Sequence, residues 1–206
     1  LGALGNGGKK DASSPVAVSA ISDAIGVTAG TNHSCALRKS GKVSCWGYNA
    51  HYQLGDGSKA QRLTPVEVLG LGEAIELSAG ARHTCALLRD GYTWCWGSTN
   101  LGVLGNPRRS VSTRPFVVEG LIGGAHIDGG WDQQCGVDRH GNAHCWGSNA
   151  FGQLGTGDKK ARGVPTALKT MPSAFRMSTG QWHTCSIAKT GALYCNGRNS
   201  RGQLGT

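Results

Sequence analysis

An all-β propeller built of four-stranded blades is the architecture this sequence predicts. Three observations predict it: an unbroken period of fifty residues, four short β-type runs within each period, and no helical periodicity anywhere in the chain. The period is carried by Cys35, Cys85, Cys135 and Cys185, by Cys45, Cys95, Cys145 and Cys195, and by Gly30, Gly80, Gly130 and Gly180. Leu-Gly pairs return at Leu4, Leu54, Leu104, Leu154 and Leu204 with the same spacing. Chance does not place four separated series in register. The chain therefore divides into the tail of one repeat (1–7) and four repeats at approximately 8–57, 58–107, 108–157 and 158–206.

Within one period the β-type runs are Thr64-Pro65-Val66-Glu67-Val68, Ile75-Glu76-Leu77-Ser78, Thr84-Cys85-Ala86-Leu87 and Thr93-Trp94-Cys95-Trp96. Glycine punctuates them at fixed places, so the 34 glycines mark ordered turns and not a flexible linker. A β-solenoid is the alternative architecture, but its coils usually run shorter than this period. A single fifty-residue unit cannot bury a core alone, so neighbouring units must complete one another.

Each pair of cysteines flanks a glycine-containing turn, as Lys39-Ser40-Gly41 lies between Cys35 and Cys45. A three-residue hairpin loop of this kind needs a left-handed residue, and Gly41, Gly91, Gly141 and Gly191 supply it. Pairing Arg38 with Lys42 then puts Cys35 directly opposite Cys45, close enough for a disulfide. Four local bridges follow: Cys35–Cys45, Cys85–Cys95, Cys135–Cys145 and Cys185–Cys195. Such a framework belongs to an oxidising compartment, so the expected location is extracellular or cell-surface, with a nuclear or cytoplasmic protein carrying free buried thiols as the competing reading.

The set Gly80-Ala81-Arg82-His83-Thr84-Cys85-Ala86-Leu87, followed by Gly91, Cys95-Trp96-Gly97 and, one copy on, Gly152-Gln153-Leu154-Gly155, resembles repeats of the regulator-of-chromosome-condensation family. The resemblance covers nearly the whole chain. It implies four-stranded blades about a central axis, usually seven in a closed ring, which at this period needs about 350 residues. With 206 residues the chain holds four blades, and three arrangements stay open: a tight four-bladed ring, a segment of a larger propeller, or an arc completed by other subunits. An open arc exposes strand edges that invite pairing. The chain starts at Leu1 without a Met, so a processed or trimmed product with further sequence upstream is expected.

No run approaches about eighteen apolar residues, so no membrane insertion by a helix is expected. His33, His83 and His183 each precede a Cys by two residues, but the Cys–Cys spacing is wrong for a structural zinc site and the third repeat has Gln133 there. These His are read as blade-corner residues, and neither a metal nor a cofactor is expected. Every Ser, Cys, His or Asp candidate is one copy of a repeated position, whereas a catalytic constellation should be singular. The one irregular group, His126, His140 and His144 with Asp128, Asp132 and Asp138, matches no nucleophile or ligand spacing, so the chain is read as non-catalytic. Trp46, Trp96 and Trp146 read as core; Trp94, Trp131 and Trp182 break the repeat and are candidates for a binding surface. Asn32-His33-Ser34 fits an N-glycosylation sequon, relevant only in a eukaryotic secretory setting.

The formal charge is +9, and ten basic residues share one phase of the repeat: Lys9, Lys10, Lys59, Arg62, Arg108, Arg109, Arg114, Lys159, Lys160 and Arg162. Equivalent loops of a repeat fold emerge on one face, so these should form a positive arc able to attract a polyanion, with a merely solubilising surface as the bland reading. The expected partner is a protein or an anionic surface polymer, or further copies or domains through self-assembly, with nucleic acid ranked behind them. The leading function is a disulfide-braced, protein- or glycan-binding or structural scaffold. The family resemblance supplies the alternative, an exchange factor for a small GTPase or a chromatin adaptor.

Overall fold

A computed structural model describes residues 1–98, 100–107 and 111–206, with Val111 in its backbone only. Fifteen strands lie within these residues. The first blade is the meander β1 (Ala24–Ala29), β2 (His33–Arg38), β3 (Val43–Gly47) and β4 (Arg62–Glu67). The second is β5 (Ala74–Ala79), β6 (His83–Leu88), β7 (Thr93–Ser98) and β8 (Val111–Val117). The third is β9 (Gly124–Gly129), β10 (Gln133–Asp138), β11 (Ala143–Gly147) and β12 (Arg162–Ala167). The fourth has three strands, β13 (Ala174–Thr179), β14 (His183–Ala188) and β15 (Leu193–Gly197). All pairings are antiparallel, and the first three sheets take their fourth strands, β4, β8 and β12, from beyond residues 57, 107 and 157.

The hairpins have the register that the turn chemistry requires. Cys35 faces Cys45, with Arg38 N–H donating to the Lys42 carbonyl at 2.9 Å, and Gly41 has φ +78°. The same pairing recurs at Cys85–Cys95, Cys135–Cys145 and Cys185–Cys195, and all four pairs are disulfide-bonded. The cross-strand Cα separations are 4.0 to 4.1 Å, as expected for the narrow type of antiparallel pair.

The core lies between blades. Cys35, Leu37, Val43, Cys45 and Leu54 pack with Ala74, Ala86 and Trp96 between the first two sheets, and Leu77 lies against that cluster. Cys85, Leu87, Cys95 and Leu104 pack with Ile127 and Trp146 between the second and third. Each tryptophan also pins the loop of the preceding period: Trp46, Trp96 and Trp146 donate from Nε1 to the carbonyls of Ala3, Gln53 and Val103 at 2.8, 2.9 and 2.8 Å. Asn196 makes the equivalent bond to Gln153, which explains why an amide can stand in the aromatic position. Blades meet so closely at the mouth of the axis that a Cβ on Gly80 would lie 2.4 Å from the Gly130 carbonyl oxygen. Only glycine fits there.

The four blades do not close on themselves. Ile187 is 39% exposed, whereas its equivalents Leu37, Leu87 and Val137 are 4%, 0% and 2% exposed. On the opposite end Val27 is 75% exposed, against 1% for Ile127 and 3% for Met177. A tight four-bladed ring is therefore excluded, and an open arc remains. Leu87→Ala is expected to cost about 2–5 kcal/mol, and Ile187→Ala markedly less, in urea unfolding of the chain; equal losses would contradict the uncovered face.

Candidate binding face

In a four-stranded meander the first and third connections emerge at the same end. The β1–β2 turns at residues 30–32, 80–82, 130–132 and 180–182 therefore share one face with the long loops that follow β3, β7, β11 and β15. A buried asparagine organises the long loops. Asn49 Nδ2 donates to Asp56 Oδ1 and to the carbonyls of Ser58 and Ala60, while its Oδ1 accepts from Leu54 N–H. Asn149 repeats this with Thr156, Asp158, Lys160 and Leu154.

This scaffolding divides the basic residues into two kinds. Arg62 forms an ion pair with Asp56 at 2.7 Å, and Arg162 pairs with Asp158 at 2.6 Å, so both brace the loop. Burial would push the Asp56 carboxyl up, but the hydrogen bonds from Arg62, Ser58 and Asn49 hold it below the usual carboxylate range. Lys9, Lys10, Lys59, Arg114, Lys159 and Lys160 are exposed. Arg108 and Arg109 lie outside the described residues.

An aromatic group occupies the same face. Trp131 and Trp182 stack with ring centroids 6.2 Å apart and planes 14° apart. Phe151 lies 5.6 Å from Trp182, and the Arg198 guanidinium sits 4.6 Å over the Trp182 ring. Lys59 Nζ lies 5.0 Å over Tyr52. Two of the three irregular tryptophans thus come together, whereas Trp94 packs partly buried against the core between the first two blades. Sequence reasoning missed Phe151 and Arg198. The signal was available: positions 51, 101, 151 and 201 hold His, Leu, Phe and Arg, and positions 48, 98, 148 and 198 hold Tyr, Ser, Ser and Arg, close to the Leu-Gly pairs that repeat without exception. Asn32 is half-buried in the β1–β2 turn of this face.

The histidines at the blade corners bond to the next blade. His33 Nε2 lies 2.9 Å from Thr84 Oγ1, and His83 Nε2 lies 3.3 Å from Gln134 Oε1. Burial first, and then His83, pushes the His33 ring down to about 3; burial pushes His83 down to about 4, against a hydrogen bond to Gln134. Both rings are neutral at ordinary pH. Among the described residues no group of three or more His, Cys, Asp or Glu is placed to hold a metal ion.

The irregular cluster of the third repeat disperses. Asp138 caps the β10–β11 turn through His140 N–H and Asn142, and Asp132 lies in the β9–β10 turn. Apart from the β10–β11 turn, where the His144 charge also acts on Asp138, His126 and Asp128 come together on the inner surface and line a cavity of about 640 Å³ with Glu76 and Arg176. His126 Nδ1 is 2.8 Å from Glu76 Oε1 and Nε2 is 2.7 Å from the Met177 carbonyl. Both neighbours are acceptors, so the ring satisfies both only as imidazolium. Burial lowers its pKa, but the bonds to Glu76 and Met177 and the Glu76 charge outweigh burial and the nearby Arg176, raising it above the ordinary value. The group joins strands of the second, third and fourth blades. Because its folded pKa is raised, its contribution is full below about pH 6.5 and fades as pH climbs through the folded value. The melting temperature of the wild-type chain is expected to fall across that window more steeply than that of His126→Gln; parallel curves would refute the link.

The fold and its repeat also have counterparts in known proteins. Family models described as regulator of chromosome condensation (RCC1) repeats match residues 40–87 and 140–187, and 24–53, 74–102 and 176–203. The chain belongs to the RCC1 repeat family. Among solved structures, Prp20p from Saccharomyces cerevisiae, described with its binding properties to Gsp1p and histones, is 21% identical, with a TM-score of 0.82 over 93% of this chain and 50% of that one. Human WBSCR16 is 22% identical, with a TM-score of 0.80 over 88% and 49%. The ectodomain of the Physcomitrella patens receptor kinase CR4 is 23% identical, with a TM-score of 0.56 over 84% and 41%. This RCC1 repeat chain spans half or less of each of these structures. No curated protein matches its sequence closely.

Proposed function

We propose that this RCC1 repeat chain is a non-catalytic binding scaffold, secreted or displayed at a cell surface, whose face of β1–β2 turns and long loops engages an acidic protein or an anionic glycan. The observation that carries the reading is the sharing of one face by exposed Lys9, Lys10, Lys59, Lys159 and Lys160 and by the Trp131, Phe151, Trp182 and Arg198 group. Four disulfides hold the sheets from which these loops spring, so little ordering is needed on association. They also favour an oxidising compartment. The uncovered faces of the first and fourth blades suit further blades of the same kind, from this chain's continuation or from another copy.

Reversing the five lysines to Glu is expected to weaken binding to an acidic polymer by at least about tenfold, with the wild-type affinity falling steeply as salt is raised. Unchanged, salt-independent binding would remove the basic face from the account. The exchange-factor or chromatin-adaptor alternative rests on the likeness to Prp20p, which is described as binding Gsp1p and histones. Free thiols in protein from its native source would favour that alternative.

A further inference from the structure

On the same face, a cavity of about 360 Å³ opens between the first two blades and Trp131. Asn32, Tyr48, His51, Gln53, Arg82 and Trp131 are among the residues that line it. Three features of this cavity are absent from the corresponding places in the other repeats or are left unsatisfied.

The first is a buried donor with no acceptor. Gln53 is fully buried; its Oε1 accepts from His51 N–H at 3.0 Å, which fixes the amide orientation, and its Nε2 has no partner. In the third repeat the same atom, Gln153 Nε2, donates to Ser148 Oγ at 3.3 Å. Position 48 in the first repeat is Tyr, so the internal acceptor has been replaced by an aromatic wall beside open space. An unpaired buried amide donor is costly unless something supplies an acceptor.

The second is an exposed cation. Arg82 has no carboxylate within ion-pair distance among the described residues, and Asp132 is the acidic group its charge acts on. Burial first, and then the charges of Arg82 and Lys59, lower the His51 pKa; at Asp132 burial raises the pKa and the Arg82 charge works against it. The third is an exposed flat apolar surface. Trp131 is 42% exposed although its ring is backed by Trp182, and Tyr48 and His51 meet edge to face across the cavity floor at 6.1 Å.

Donors on planar side chains, an exposed guanidinium outside ion-pair distance of any carboxylate among the described residues, and an open indole face together select a ligand that is rich in oxygen acceptors, carries a carboxylate and has one apolar face. A uronic-acid ring has these properties: its C–H face stacks on an indole while its carboxylate and hydroxyls take the donors. We infer that this cavity is a subsite for a uronic-acid residue of an anionic polysaccharide, with Trp131 as the stacking platform, Arg82 as the carboxylate partner and Gln53 Nε2 as a hydroxyl donor. The inference rests on the scaffold reading above and specifies one ligand class for it. Asn32 borders the same cavity, so a glycan attached there would block the subsite.

The test is titration of the intact chain with an oligogalacturonate, its methyl-esterified counterpart and a single-stranded oligonucleotide, followed by Trp131→Ala, Arg82→Gln and the five-lysine reversal, each checked for an unchanged melting temperature. The expected result is binding of the oligogalacturonate, weakened by about tenfold in each of the two cavity variants and by esterification. No binding to the wild-type chain, binding that the cavity variants leave intact, or preference for the oligonucleotide would each overturn the subsite. Loss with the lysine reversal alone would leave the scaffold reading standing while removing the subsite, so the two fail separately.

Discussion

Trp96→Ala is expected to destabilise the chain by about 3–5 kcal/mol. Trp96 is fully buried between the first two blades, where it packs with Cys35, Leu54 and Val68, and its Nε1 donates to the Gln53 carbonyl. Truncation leaves a cavity and releases the loop of the preceding period in one step. The Gln53 carbonyl keeps its bond from Thr84 Oγ1, so the loss is mainly one of packing, and Trp96→Phe should recover much of it. Urea unfolding gives the comparison; a loss under about 1 kcal/mol would mean that the blades are held together by something other than this interblade core.

Native-state reduction is expected to open one disulfide well before the other three. Cys185 and Cys195 are half-buried on the uncovered side of the fourth blade, whereas the other six cysteines are completely buried. Mild reductant with an alkylating agent should therefore label Cys185 and Cys195 first, and the remaining bridges only as the blades unfold. Each ten-residue bridge stabilises by about 3 kcal/mol in the chain-entropy model, less where the hairpin persists in the unfolded chain. Loss of all four is comparable to the whole stability of an ordinary domain, so the fully reduced chain should not stay folded. Random labelling of all eight thiols, or a fully reduced chain with unaltered melting, would contradict the arrangement.

How far the sequence reaches is clear from particular residues. The fifty-residue period determined the blades, because repeated spacing with glycine at every hairpin leaves few alternatives. Gly41 and its equivalents determined the register, since a three-residue loop with one left-handed position allows only one pairing, and Cys35 then has to face Cys45. The tryptophan after the second cysteine in three of the four repeats marked the core.

Other features depend on how side chains meet once the chain is folded, several of them across about fifty residues of sequence, and only the tertiary structure decided them. Arg62 and Arg162 share their phase with the free lysines, yet Asp56 and Asp158 occupy different positions in their repeats, so charge phase alone could not separate braces from free cations. Trp131 and Trp182 looked equivalent to Trp94 as departures from the pattern. The first two lie in turns on one face and stack, while Trp94 alternates onto the side of β7 that meets a neighbouring blade. His126 became a three-blade link only because the axis brings Glu76 and the Met177 carbonyl to opposite sides of one ring. The uncovered faces at Val27 and Ile187 are seen only once the blades are packed, because burial at these positions comes from a neighbouring blade. The sequence by itself determined the repeat, its hairpins and its disulfides, because these are local; the tertiary structure decided which polar groups are satisfied and which still need a partner, because that depends on what the neighbouring blade presents.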